Sequence, residues 1–288
     1  MILQDLQLVV SQNKNTTSGL YLRNLLKETL QIYTLNFIYG SNWGKSFLFK
    51  GGTCLRFCFD LPRLSEDLDF DIINYSDFNL EAFLTDLKQY FQSKWQVEDF
   101  SLKVAGNNRQ IFLQFPLLQS LGLAEPNDTN ILFLRLDLSP TDSGIYTEEI
   151  SVKTTQNLNF IMKRYSLPDL FASKIATAIT TFKGRDYFDL VWFMEKKVVP
   201  NFKRLQDLTG YDQKTVIKLL GEKVSQVKVN FLAEDLNPLF RDGKFVDDFC
   251  QNFQTLASQY LPHILSNRGK AGVKFGFSHE TLISPQVI

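Results

Sequence analysis

The stretch Lys50-Gly51-Gly52-Thr53-Cys54-Leu55-Arg56-Phe57-Cys58-Phe59-Asp60-Leu61-Pro62-Arg63-Leu64-Ser65-Glu66-Asp67-Leu68-Asp69-Phe70 decides how the rest of the chain is read. A short β-rich run, Phe47 to Lys50, leads into it, and the paired glycines sit where that strand gives way to a helix. Glycine lacks a Cβ, so the backbone there takes up unusual dihedrals and lets a ligand come close. A helix N-terminus presents free N–H groups and the positive end of a dipole, both suited to phosphate. Thr53 adds a hydroxyl. Downstream, Asp67 to Ile73 alternates acidic and apolar residues, which is the period of a strand. Asp67 and Asp69 therefore share one face, about 6.6 Å apart at a rise of about 3.3 Å per residue. Two carboxylates so placed suit one or two Mg²⁺ ions, which take hard oxygen ligands. Asp71 lies on that face too, but about 13 Å from Asp67, too far to share a metal pair spaced roughly 3.5–4 Å. Glu66 is expected on the opposite face.

Working outward, a metal pair of this kind needs a third carboxylate from a neighbouring strand. Asp137 is the candidate, in Ile131-Leu132-Phe133-Leu134-Arg135-Leu136-Asp137-Leu138-Ser139. An acid within an apolar strand is costly to bury unpaired. It is either an ion-pair partner of a basic neighbour or a metal ligand, and its context suits the ligand better. One look-alike is set aside. Gly40-Ser41-Asn42-Trp43-Gly44-Lys45-Ser46 has three residues between its glycines where a Walker A loop needs four, and it follows a helix and precedes a strand, the wrong order.

The surroundings fit an α+β protein. A helix is expected from about Ser18 to Tyr39, with Leu20, Leu25, Leu26, Leu30 and Tyr33 as its apolar stripe, ended by Gly40. Leu80, Phe83, Leu84, Leu87, Tyr90 and Phe91 recur at helical spacing; 130–139 is β-rich, with shorter strands near 148–154 and 158–165. From Pro168 onward the pattern is helical, and Val246, Phe249, Cys250, Phe253, Leu256, Ala257 and Tyr260 form its last stripe. Strands confined to the first part predict a mixed sheet flanked by helices in 1–165, followed by a mostly helical domain in 166–288.

Composition narrows the chemistry. The 288 residues carry 31 basic and 31 acidic side chains, and 44% are hydrophobic, which excludes disorder, coiled coil and a disulfide-stapled fold. The zero net charge hides a division: 76–150 holds 5 basic and 11 acidic side chains, 151–230 holds 14 basic and 7 acidic. Only two histidines are present, His263 and His279, so a triad, a His-based zinc site or a His general base has little to draw on. Three cysteines, without histidines near them, point to reduced structural thiols. Apolar runs such as Ile131 to Leu134 are far short of the roughly 20 residues of a membrane span. The N-terminus lacks the basic region of a signal peptide. A cytoplasmic protein with no membrane contact is expected.

The spacing Gly51-Gly52-Thr53 with Arg63-x-Ser65-x-Asp67-x-Asp69 resembles the DNA polymerase β-type nucleotidyltransferase superfamily. More narrowly, the chain resembles the AbiEii/AbiGii toxin family, which includes the MenT toxins. Four blocks carry the likeness. After the first come Arg135-Leu136-Asp137, where Arg135 replaces the family's lysine; Lys174 within Leu167-Pro168-Asp169-Leu170-Phe171-Ala172-Ser173-Lys174; and Arg185-Asp186-Tyr187-Phe188-Asp189-Leu190. Arginine keeps the charge but is a different donor. Lys174 lies on a helix opened by Pro168 and Asp169, from which its ammonium could reach a triphosphate. Asp186 and Asp189 share a helix face; Lys183 or Arg185 would pair with them or with phosphate, and Asp189 reads as structural or positioning.

The resemblance implies transfer of a nucleotide from an NTP to an acceptor hydroxyl, with the tRNA 3′ end as acceptor in MenT-type members. In that reading Asp67, Asp69 and Asp137 hold Mg²⁺ or Mn²⁺, and Gly51, Gly52, Thr53, Ser65, Lys174 and Arg185 bind the nucleotide. Lys174 and Asp186 join the three ligands as catalytic residues. The partners implied are NTP, tRNA and an AbiEi-type antitoxin. Two other readings stay open: the same chemistry on a protein hydroxyl, and an NTP- or RNA-binding module without turnover.

Overall fold

Seven strands form one mixed sheet: β1 (Phe47–Lys50), β2 (Asp67–Ile72), β3 (Ser101–Ala105), β4 (Gln110–Pro116), β5 (Ile131–Pro140), β6 (Glu148–Thr155) and β7 (Leu158–Tyr165). The computed structural model describes residues 2–264 apart from 142–143 and 156–157. His279 and the 265–288 part of the expected helical domain lie outside the described residues. Across the sheet the order is β3-β4-β5-β2-β1-β7-β6. β1 runs antiparallel to β2 and parallel to β7, while β2 and β5 are parallel. That last pairing positions the site. It sets Asp67 opposite Arg135 and Asp69 opposite Asp137, and residues two apart on a strand share a face. All four side chains therefore project from one patch of the sheet.

Four helices belong to the strand-bearing part: α1 (Ile2–Asn13), α2 (Gly19–Tyr39), α3 (Gly51–Phe59) and α4 (Leu80–Gln89). The Ser18 hydroxyl caps α2 by accepting from the Tyr21 N–H, and the Gly40 N–H closes its end on Asn36. The buried stripe of α2 runs through Leu22, Leu26, Leu30 and Tyr33, whereas Leu20 stands 62% exposed, one position off the expected face. Beneath the sheet, aromatic rings build the core: Phe49 stacks on Phe70 at 5.0 Å and Phe47 on Phe83 at 5.2 Å.

Immediately after β7 the chain turns helical: α5 (Leu167–Thr180), α6 (Gly184–Glu195), α7 (Phe202–Thr209), α8 (Gln213–Ser225), α9 (Val229–Leu236) and α10 (Gly243–Tyr260). Ser166 is the N-cap of α5, and its hydroxyl donates to Asp169, whose carboxylate also takes the Thr147 N–H at 2.8 Å and the Asn201 amide at 2.7 Å. This buried cluster fixes where α5 leaves the sheet. The opposing charge segments meet in part along the β6–β7 hairpin, where Lys163 pairs with Glu148 at 3.1 Å and Arg164 with Glu149 at 2.5 Å.

Two elements escaped the sequence reading. In α1, Ile2, Leu6 and Val10 repeat every four residues and are buried. The β3–β4 hairpin turns through Gly106, Asn107 and Asn108, all at positive φ. The β4 sequence alternates buried and half-buried residues along its length, so period-2 alternation after a Gly-Asn-Asn turn was the available signal.

Candidate active site

The N-terminus of α3, the β2–β5 face and the facing sides of α5 and α6 enclose a cleft of about 450 Å³. Gly51 and Gly52 form its floor for reasons the structure makes specific. Gly51 has φ +78°, and a Cβ there would lie 2.1 Å from the Asp69 carboxylate. A Cβ on Gly52 would stand 2.8 Å from the Arg63 guanidinium and 2.9 Å from the Ser65 hydroxyl. The glycine pair thus lets the β2 acid Asp69 and the Arg63–Ser65 segment close onto the helix start.

The β2–β5 face is electrostatically unsatisfied. Burial pushes the Asp69 carboxyl above its ordinary value, and Asp137 opposite pushes it further. Burial likewise raises Asp67 and Asp137, against the pull of Arg135. Arg135 reaches Asp67 at 2.5 Å and Asp137 at 3.0 Å. Asp69 itself makes no hydrogen bond or ion pair among the described residues. Asp137 faces Asp69 across the strand pair and is ion-paired to its basic neighbour Arg135, the first of the two readings of it.

A second cluster lies where the helices meet the sheet. Arg63, 1% exposed, grips Asp189 through two bonds of 2.7 Å. Lys174 joins Asp189 and Asp186, each at 2.8 Å. Burial opposes the charge on both Asp189 and Lys174, but their partners outweigh it. Asp189 is held below the usual carboxylate range and Lys174 above the usual lysine value. One oxygen of Asp186, Oδ2, is buried without a hydrogen-bond partner, and Asp186 lines the cleft.

Several expectations change in consequence. Thr53 is fully buried and its hydroxyl donates to the Asp67 carbonyl, so it latches α3 to β2 and does not line the cleft. Lys174 lines the cleft, but it is paired with two carboxylates and so is not a free cation there. Arg185 pairs neither with Asp186 nor with Asp189. Its backbone N–H donates to Asp235 at 2.8 Å, and its guanidinium lies 3.3 Å from Glu66 and 4.0 Å from Asp67. Glu66 is therefore turned to the cleft, where it pairs with Arg185 and with Lys27 at 3.1 Å, not away from it. It precedes the first residue of β2, so strand alternation does not apply to it. Asp71 is fully buried between Lys50, at 2.5 Å, and the Tyr165 hydroxyl, at 2.6 Å. Ser65 lines the cleft as expected. Lys183, at the N-cap of α6, is the cleft-lining cation that has no carboxylate partner among the described residues.

A strand–Gly-Gly–helix cradle beside two strands bearing facing carboxylates is the layout of a nucleotidyl-transfer site, and the sequence profile of the nucleotidyl transferase AbiEii toxin, type IV toxin–antitoxin system, matches residues 36–259. The chain belongs to the AbiEii nucleotidyltransferase toxin family. This AbiEii enzyme is similar in structure to MenT4, a nucleotidyltransferase toxin from Mycobacterium tuberculosis H37Rv: TM-score 0.57, 16% identity, covering 90% of this chain and 89% of that one. A candidate nucleotidyltransferase from Helicobacter pylori gives a TM-score of 0.50 at 16% identity, covering 85% of this chain and 98% of that one. At such identity the likeness is one of fold. The search of curated proteins finds no match to this chain. Among the described residues no helix is long and apolar enough to cross a membrane.

The AbiEii family draws on an NTP, and a divalent metal is usual for its chemistry. As they stand, no three acidic, His or Cys side chains among the described residues are gathered tightly enough to hold an ion. Arg135 lies between two of the carboxylates concerned. The donor chemistry nevertheless fits. Asp67, Asp69 and Asp137 are hard oxygen donors on one face, all raised by burial, and Asp69 lacks a partner. A cation at that point would relieve the repulsion among them.

Proposed function

We propose that this toxin is a metal-dependent nucleotidyltransferase that moves a nucleotide from an NTP to the 3′ end of tRNA. The observation that carries the reading is the β2–β5 register, which sets Asp69 beside Asp137 with Asp67 on the same face and the Gly51-Gly52 turn at its edge. Asp67, Asp69 and Asp137 would hold Mg²⁺ or Mn²⁺. Such an ion supplies charge neutralisation at the attacking and leaving oxygens of an in-line displacement.

The chain's own groups supply the positioning. Gly51 and Gly52 admit the nucleotide close to the backbone, and Ser65 offers a hydroxyl beside them. Lys183 offers the triphosphate a cation not already committed to a carboxylate. Arg63, Asp189 and Lys174 hold α5 and α6 against the sheet and pin Asp186. The bare Oδ2 of Asp186 repels phosphate and accepts from an N–H or O–H of the nucleotide or the acceptor. Proximity and fixed electrostatics of this sort are most of what phosphoryl-type transfer requires. We take 1–165 as the nucleotidyltransferase domain and 166–288 as the helical domain that completes the site. An AbiEi-type antitoxin and a cytoplasmic setting go with this reading. For tRNA, support comes from the lysines that 151–230 leaves exposed, among them Lys183, Lys196, Lys203, Lys214 and Lys228.

Incubating the protein with Mg²⁺, each labelled NTP and total tRNA tests this. Label on RNA, lost in Asp69→Asn, is expected. Label on protein would move the acceptor to a protein hydroxyl. No label anywhere, with NTP still bound, would leave a binding module.

A further inference from the structure

Of the groups around the three carboxylates, Arg135 stands where a metal ion would compete with it. The parallel β2–β5 register sets it opposite Asp67, and Asp137 follows two residues later on the same face. Its Nη2 lies 2.5 Å from Asp67 Oδ2 and its Nε 3.0 Å from Asp137 Oδ2. One guanidinium thus occupies an oxygen on each of two carboxylates that flank the unpartnered Asp69. Those are the lone pairs a divalent cation would use.

Three features make the contact one that can be surrendered. The Arg135 side chain is 33% exposed at the cleft, whereas Arg63, the latch arginine, is 1% exposed. The approach of Nε to Asp137 is close but not aligned as a hydrogen bond, so that half of the bridge is mostly Coulombic. An arginine also keeps its charge at any working pH; it is moved out of the way, never neutralised. A triphosphate would offer the displaced, planar guanidinium a pair of oxygens to bind in a bidentate way.

We propose that Arg135 is a displaceable counter-cation: it bridges Asp67 and Asp137 in the free enzyme and yields both carboxylates when a divalent cation arrives together with the NTP. Arg135 thereby keeps metal alone from settling in the free enzyme and couples metal entry to nucleotide entry. The inference rests on the metal-dependent reading above.

The test counts bound Mn²⁺ on the full chain, from the electron paramagnetic resonance signal of the free ion, with and without a non-hydrolysable NTP analogue. Wild type, Arg135→Ala, Arg135→Lys and Asp69→Asn are compared. Without nucleotide, Arg135→Ala is expected to bind Mn²⁺ about five-fold tighter than wild type or more, the scale of one partly exposed ion pair. Arg135→Lys is expected in between, and the difference should shrink when the analogue is present. Equal or weaker binding by both Arg135 variants, with wild-type binding still dependent on Asp69, would overturn the proposal and make Arg135 a mere organiser of the carboxylates. Should no protein bind Mn²⁺ even with the analogue, the metal-dependent reading falls first and this inference with it. Arg135→Lys keeps the test decisive if Arg135→Ala fails to fold.

Discussion

Two clusters of charge lie side by side in this molecule and are solved oppositely. On the β2–β5 face, Asp67 and Asp137 share the partly exposed Arg135, Asp69 has no ion-pair partner among the described residues, and burial raises all three. At the junction with α5 and α6, two carboxylates share a buried arginine and a buried lysine, and Asp189 is lowered. The second arrangement is satisfied and ties helices to sheet. The first is left short of positive charge, which is a cost to folding and an invitation to a cationic ligand. Side chains of the same type serve as latch or as site according to how many partners the fold supplies.

Breaking the latch should have the largest effect. Asp189→Asn leaves Arg63 buried and uncompensated, and removing one partner of a buried pair costs about 3–5 kcal/mol. Urea unfolding checks this, and a loss below about 1 kcal/mol would mean that the pair carries little. Asp69→Asn should do the reverse. It should cost on the order of 10²–10³-fold in nucleotidyl transfer, the scale for losing one charge-stabilising group, while thermal stability holds or rises because a repelled acid is gone. A marked fall in melting temperature would show that Asp69 is part of the frame.

Gly51→Ala probes the boundary between the clusters. Its positive φ and the 2.1 Å approach to Asp69 predict about 1–3 kcal/mol of destabilisation together with lost activity. Wild-type stability in that variant would place the strain elsewhere.

The pH dependence sharpens the contrast. Asp189, depressed in the folded state, contributes stability above its unfolded value that is lost as pH falls through its folded one. Asp67, Asp69 and Asp137, raised in the folded state, favour folding below the ordinary carboxylate value, and that contribution is lost as pH rises through their folded ones. Relative to wild type, Asp189→Asn should therefore flatten the acid limb of stability against pH, and Asp69→Asn the rise in destabilisation above it. The smallest effect is expected at Lys183. Lys183→Ala should raise KM for NTP several-fold, stay within about 0.5 kcal/mol of wild-type stability, and be rescued by Lys183→Arg. An unchanged KM would remove Lys183 from the phosphate path.

Most of the site's raw material was legible in the linear order. Gly51-Gly52, the alternation through Asp67 and Asp69, Asp137 in its apolar strand, and the helical positions of Lys174 and Asp186 are all local patterns, and local patterns follow from backbone period and the absence or presence of a Cβ. The β3–β4 hairpin was legible as well, through its Gly-Asn-Asn turn, and was passed over. What distance along the chain could not reveal is who pairs with whom. Lys174 looked free for phosphate because Asp186 and Asp189 lie a dozen or more residues away. Thr53 looked available to a ligand because nothing local shows its hydroxyl bonded to the Asp67 carbonyl, and Glu66 looked averted because the strand begins one residue later. Those outcomes depend on contacts between distant segments: the parallel alignment of β2 with β5, and the docking of α5 and α6 on the sheet. Chain order settled which chemical groups this protein owns and on what elements they ride. Tertiary packing alone decided which charges are neutralised and which are left waiting, because a pairing energy exists only once both partners have been brought within a few ångströms and out of water.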